Sequence, residues 1–174
     1  MAKAKNGIVD NVKMKGFFRV QITEDGKGVV GDSGWQENQV TDVGARDYLV
    51  KAMLGSSGNL AVTHMALGTG SVPGAAATTL DGENFHKSTN STTNSRMAVT
   101  TSITASRTAV MTAAFASANS FVTATANISN VGLWNTYLTS LASAGTLFAG
   151  NTYASSSCAT NQAVNVTYNV QFAA

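Results

Sequence analysis

The sequence predicts a mainly β protein, an antiparallel β-sandwich of jelly-roll-like form, with one short α-helix and an extended N-terminal arm. Three observations carry that prediction. Apolar and polar residues alternate with period two in one segment after another. The cleanest is the last, where Val164, Val166, Tyr168, Val170 and Phe172 oppose Asn165, Thr167, Asn169 and Gln171. Only one stretch, about residues 43–54, repeats apolar residues at three- and four-residue spacing. Gly-, Asn-, Asp- and Ser-rich breaks separate the runs at short intervals, which fits roughly seven to nine short strands.

Residues 1–15 are polar and unpatterned, and are expected to form an arm that orders only on contact. Residues 16–174 are expected to form a single domain. Phe18, Val20 and Ile22 alternate with Arg19, Gln21 and Thr23 up to Glu24-Asp25-Gly26-Lys27, where Asp-Gly signals a tight hairpin. Val29 and Val30 begin the return strand. Trp35 opens an extended segment to Val40 and is expected to anchor its indole on the core. Thr41-Asp42 can cap the helix, in which Ala45, Tyr48, Leu49, Ala52 and Met53 recur before a Gly55-Ser56-Ser57-Gly58 stop.

A short strand follows, with Val62, His64, Ala66 and Gly68 on one side and Thr63, Met65 and Leu67 on the other. Residues 71–95, with the only proline, Pro73, are the least regular part and read as a long surface loop. Beyond it Met97, Val99, Thr101 and Ile103 share one face, then Ala109, Met111, Ala113 and Phe115, then Val122, Ala124, Ala126 and Ile128. Ser129-Asn130 reads as a break before Val131 to Asn135. Thr146 to Tyr153 supplies a further strand.

All twenty formal charges lie in the first 107 residues: the eleven Lys and Arg and the nine Asp and Glu precede position 108. Residues 108–174 must therefore build their polar surface from Ser, Thr, Asn and Gln, which are poor general acids, bases and hard-metal anchors. Charged residues make up 11% of the chain, against about a quarter in ordinary soluble domains. So thin a charge cover protects a monomer poorly against association, so partner subunits are expected to cover much of the surface. The basic residues do not cluster as in a nucleic-acid binder, and no nucleic-acid partner is expected. No stretch reaches transmembrane length, and no apolar run of the 7–15 residues of a secretory leader follows the N-terminal lysines, so neither membrane nor secretion is expected. The single cysteine, Cys158, cannot form an intrachain disulfide. The three glycosylation sequons, at Asn90, Asn127 and Asn165, then read as coincidences of composition.

The residues that could carry chemistry are isolated. Asp81, Glu83 and His86 fall close together in the long loop but have no second ligand cluster, and the solvated-loop reading is preferred to a metal site. His64 lies in a strand and reads as packed or hydrogen-bonded. Cys158 has no neighbouring base in Ser155-Ser156-Ser157-Cys158-Ala159 and reads as inert. Gly68-Thr69-Gly70 lacks the lysine of a phosphate loop and reads as a turn. No nucleophile elbow accompanies the many serines. No catalytic residue, cofactor or metal is therefore expected, and the protein is not expected to be an enzyme. Lys3, Lys5, Lys13, Lys15, Arg96 and Arg107 remain as candidate interface residues, the lysines on the arm and the arginines flanking the strand at 97–104.

Several blocks, taken in order, resemble small virion proteins of tailed bacteriophages. They are Gly16-Phe17-Phe18-Arg19-Val20, Asp25-Gly26-Lys27, Asn38 to Gly44 with Leu49, His64 to Gly70, Val131 to Asn135, Gly145 to Ala149 and the Val164 to Phe172 alternation. The resemblance is to capsid cement or decoration proteins and also to minor tail proteins, and it brings no catalytic residue. It implies a cement protein on the outer capsid surface, assembled in the host cytoplasm. The implied partners are the major capsid protein and further copies of the same chain, a trimer being one arrangement that fits. A baseplate or fibre-attachment protein is the alternative. A carbohydrate-binding β-sandwich, with Trp35, Trp134, Tyr137 and Tyr153 as stacking residues, is a second one.

Overall fold

A computed structural model describes residues 13–55, 60–83, 96–105, 108–116, 125–136 and 145–173. Its ten strands are β1 (Lys13–Glu24), β2 (Gly28–Asp32), β3 (Gln36–Val40), β4 (His64–Gly68), β5 (Met97–Ala98), β6 (Thr100–Ala105), β7 (Thr108–Phe115), β8 (Ala126–Trp134), β9 (Leu147–Cys158) and β10 (Gln162–Ala173). They form one antiparallel sheet in the order β5-β4-β8-β9-β3-β1-β10-β7-β6, with β2 attached to β1. The mainly β, antiparallel expectation holds, and the sheet is nearly closed into a barrel.

Two stretches produce the near-closure by changing partners midway. In β3, Gln36 to Asn38 pair with β1, whereas Gln39 and Val40 pair with β9. In the second, Met97 and Ala98 pair with β4, and from Thr100 onward the chain pairs with β7. Val99 between them donates its N–H to the Thr63 carbonyl at 2.9 Å. One continuous stretch thus belongs to both ends of the sheet, a common way to turn a corner between packed sheets.

The long pair β1 and β10 is the backbone of one side, in register from Lys13 opposite Ala173 to Glu24 opposite Gln162. Lys13 and Lys15 therefore belong to a strand and not to a free arm. Alternation sends Phe18, Val20 and Ile22 inward with Val164, Val166, Tyr168 and Val170, and Met111, Ala113 and Phe115 join them from β7. Met65, Leu67, Ile128, Val131, Leu133, Ala149 and Tyr153 meet them from the other side. Gly26 and Gly28, at φ of 77° and 76°, supply the left-handed geometry of the β1–β2 hairpin.

The helix, α1, spans residues 42–53 as three contiguous pieces, Asp42–Gly44, a π-helical Ala45–Val50 and Lys51–Met53. Thr41 caps it: Oγ1 accepts the Gly44 N–H at 3.0 Å and donates to the Leu147 carbonyl at 2.7 Å, so one buried hydroxyl also fixes the helix to β9. Gly44 lies so close to the Phe148 carbonyl that a Cβ would collide with it.

Two expectations are corrected here. Ser129-Asn130 does not interrupt a strand; β8 runs through it, with a register irregularity between Ile128 and Asn130. Trp35 does not reach the core and stays 48% exposed, while Trp134 is 1% exposed. Residues 69–83 are also more than a surface excursion. They lie over the outward side of β4, β8 and β9, where Leu80 packs with Ala66, Trp134 and Leu147. Both faces of β4 are therefore covered, which removes its expected two-sided pattern and leaves Met65 through Gly68 all buried. Asn130 Nδ2 donates to the carbonyls of Ser71 and Asp81, and Ser129 Oγ to that of Gly70. The segment beyond Glu83, up to residue 95, lies outside the described residues.

Gly44→Ala is expected to destabilise the fold by about 1–3 kcal/mol, because overpacking here must push α1 off β9. A control at the exposed turn, Gly26→Ala, should cost about 1 kcal/mol from backbone strain alone. Urea unfolding of both variants measures the difference. A second expectation concerns high pH. Burial holds the phenols of Tyr48, Tyr153 and Tyr168 above their ordinary value. The unfolded chain ionises near pH 10 while the fold keeps these groups neutral, so stability present below about pH 10 is lost as pH rises further. Phenolate absorbance should then rise for these three tyrosines together with unfolding.

Candidate functional site

Of the six candidate interface residues the structure describes Lys13, Lys15 and Arg96. Lys3, Lys5 and Arg107 lie outside the described residues. Lys13 lies at the start of β1, and Lys15, exposed on the same strand, sits 3.7 Å from Glu37. Arg96 is the correction: it is an interior residue, its side chain only 1% exposed, and does not lie at a sheet end facing solvent.

A buried guanidinium requires partners on its donors. Arg96 Nε donates to Glu83 Oε1 at 2.7 Å and Nη2 to Glu83 Oε2 at 3.3 Å. Nη1 donates to the Thr136 carbonyl at 3.3 Å. Its carbon centre lies 3.4 Å from the centroid of the Trp134 ring, a cation–π stack inside the protein. Glu83 in turn bridges to Gly68 of β4. The clamp therefore ties the covering segment, the end of β8 and the chain entering β5 to one point.

The same geometry accounts for the other titratable residues in this region. Asp81 accepts from Ser71 N and Oγ at 2.9 and 2.8 Å, which holds its carboxyl below the usual range. His64 Nδ1 lies 2.8 Å from Thr63 Oγ1. His86 lies outside the described residues, and no group of three potential metal ligands occurs among those that are described. Cys158 is buried, and burial pushes its thiol up, away from the nucleophilic thiolate.

Three surface features remain. On the outward face of β1, β10, β7 and β6 the register builds cross-strand rows. Arg19, Thr167, Thr112 and Thr100 form one, and Phe17, Asn169, Val110 and Ser102 the next. From β10 outward these rows carry hydroxyls, amides and methyls, with no charge.

The second feature is an apolar groove where the barrel fails to close. On β6 and β7, Ile103, Ala109 and Met111 continue the inward face, yet Ile103 is 81% exposed, and among the described residues no strand lies over it. Val62 joins them along a groove of about 510 Å³. An adjoining cleft of about 220 Å³ continues to Leu49, Leu60 and Phe172. The sequence showed the inward face of these strands; that it is left uncovered depends on how the sheet closes.

The third feature is a shallow depression of about 410 Å³ lined by Phe17, Trp35, Asn169 and Gln171. Of the aromatics considered for sugar stacking, Trp134 and Tyr153 are buried and Tyr137 lies outside the described residues, which leaves Trp35.

The chain matches no protein-family model, no curated protein and no solved structure. Among the described residues no helix is long and apolar enough to cross a membrane. The arrangement offers contact surfaces, and its buried ionic group has a structural task.

Removing one partner of the clamp should reveal that task. Arg96→Ala leaves the Glu83 carboxylate buried without its counter-ion and is expected to cost about 3–5 kcal/mol. Arg96→Lys keeps the charge but loses the planar stack and the paired contacts, and should fall between alanine and the unaltered protein in a denaturant titration.

Proposed function

We propose that this chain is a bacteriophage virion structural protein acting as a capsid cement or decoration protein. In this reading it binds the outer surface of the shell, bridges major capsid subunits and associates with copies of itself. The observation that carries a contact role is the open apolar groove, in which core-facing side chains such as Ile103 meet solvent. The uncharged rows of β10, β7 and β6 border it and can be covered by a neighbour without desolvating ions. Assignment to a phage particle rests on the ordered sequence blocks from Gly16 to Phe172. We read the two sides of the barrel, joined by partner-switching strands, as a flattened, sandwich-like body of the jelly-roll-like kind.

Structural tasks for two polar side chains accord with the non-enzymatic part of this reading: Glu83 neutralises Arg96, and Asp81 holds a turn. A protein that binds only the assembled shell stabilises it by mass action, and many copies multiply the effect. The lysine-bearing segment before β1 supplies a second contact, over major capsid protein, on particles assembled in the host cytoplasm.

Addition of the purified chain to shells that lack it should raise their disruption temperature. Ile103→Asp should weaken that effect while leaving the free protein folded, since the side chain is already exposed. Removal of residues 1–12 should likewise keep the fold and lower occupancy. A copy number of about three to twelve per particle, the range of tail rings, would replace the cement reading with a baseplate or fibre-attachment role.

A further inference from the structure

We infer that the depression around Trp35 is a binding subsite for a neutral carbohydrate, a site independent of the groove and of the capsid reading. Trp35 is half exposed, although the turn that carries it is firmly built. The Ser33 N–H donates to the Val20 carbonyl at 2.9 Å, and Ser33 Oγ accepts the Val20 N–H at 2.9 Å. The Gly34 N–H donates to Asp32 Oδ1 at 2.9 Å, and Gln36 Nε2 to the Ser33 carbonyl at 3.0 Å. Gly34 takes the left-handed geometry, φ 64°, that the turn needs. Arg19 clamps the Asp32 carboxylate from the other side. A large apolar ring held at the surface by a turn with so many restraints loses little conformational freedom when it binds.

The walls define the chemistry. Phe17 lies opposite Asn169 across the β1–β10 pair, and Lys15 opposite Gln171, so both amides stand beside the aromatic surface. Planar amides donate and accept at once, as vicinal hydroxyls require. None of the four lining side chains is charged. The ions of known placement beside it, Lys15 and Arg19, are paired with Glu37 and Asp32. An aromatic face for the C–H side of a pyranose, with neutral amides at its rim, fits an uncharged hexose better than a peptide or a phosphate. The depression is open, so a single site binds weakly, and display of many copies supplies avidity.

The test uses the full chain displayed at high density against immobilised maltoheptaose, cellopentaose and chitotetraose, with sialyllactose as the acidic comparison. Binding to at least one neutral oligosaccharide is expected. Trp35→Ala should lower it about tenfold or more, Trp35→Phe less, and Asn169→Ala with Gln171→Ala in between. Indole fluorescence should respond to the sugar through Trp35, since Trp134 is enclosed; Trp35→Ala should remove the response with the thermal midpoint unchanged. Silence on all neutral glycans, binding only to sialyllactose, or binding that survives Trp35→Ala overturns the assignment. Self-association lost in Trp35→Ala without any glycan binding makes the depression a protein contact and overturns it equally.

Discussion

A guanidinium enclosed in protein must be neutralised and hydrogen-bonded where it lies, and the placement of Arg96 imposes this on three separate parts of the chain. Glu83 must stay at the end of the covering segment, the Thr136 carbonyl must stay beyond β8, and the indole of Trp134 must lie flat beneath the charge. Arg96 immediately precedes β5, the strand that starts on β4 and then crosses to β7. The clamp therefore fixes the point from which the barrel closes. It also explains why a polar segment can lie across a sheet. Residues 69–83 bring few large apolar groups, Leu80 and Pro73 among them, and are held by Asn130, Ser129 and the Glu83–Arg96 pair.

Closure of the barrel is incomplete for a reason visible in the same strands. The chain from 97 to 105 has one backbone to share between two edges, and it gives two residues to β4 and the rest to β7. Among the described residues no strand covers the inward face of β6, so the core ends in a groove and Ile103 faces water. A closed barrel would have buried this surface within one molecule. Here, among the described residues, that part of the core stays open to solvent.

The period-two reading was legible wherever a strand has one wet face. In β1 and β10 the alternating apolar residues from Phe18 to Ile22 and from Val164 to Val170 are the buried ones, while Phe172 is exposed, and Asp25-Gly26 marks the hairpin between β1 and β2. Thr41 was legible as a cap because its role is local. The reading fails where burial is decided by distant chain. Met65 to Gly68 are buried on both faces because residues 69–83 lie over them, which no pattern within β4 announces. The two tryptophans were opposite in fate to expectation for Trp35: an indole beside a short extended run carries no local sign of whether another layer will cover it. Arg96 looked like a residue at a sheet end because its partner, Glu83, is thirteen positions away across an irregular segment. The contact surfaces lie in the same category, since groove and depression both arise from strands brought together late in the sequence.

The distribution of charge acquires a physical sense once these partners are known. Lys15 pairs with Glu37, Arg19 with Asp32, Lys27 with Glu24, Arg46 and Lys51 with Asp47, and Arg96 with Glu83. Among the described residues, these ionic groups are thus spent within the body. They fasten its turns, its helix and its closing strand, and project little long-range field. The strands after Arg107 face outward with Thr, Asn and Gln instead, groups that a neighbour can cover at a desolvation cost that its own hydroxyls and amides offset. Association through such a surface depends on shape and short-range contact more than on ionic strength.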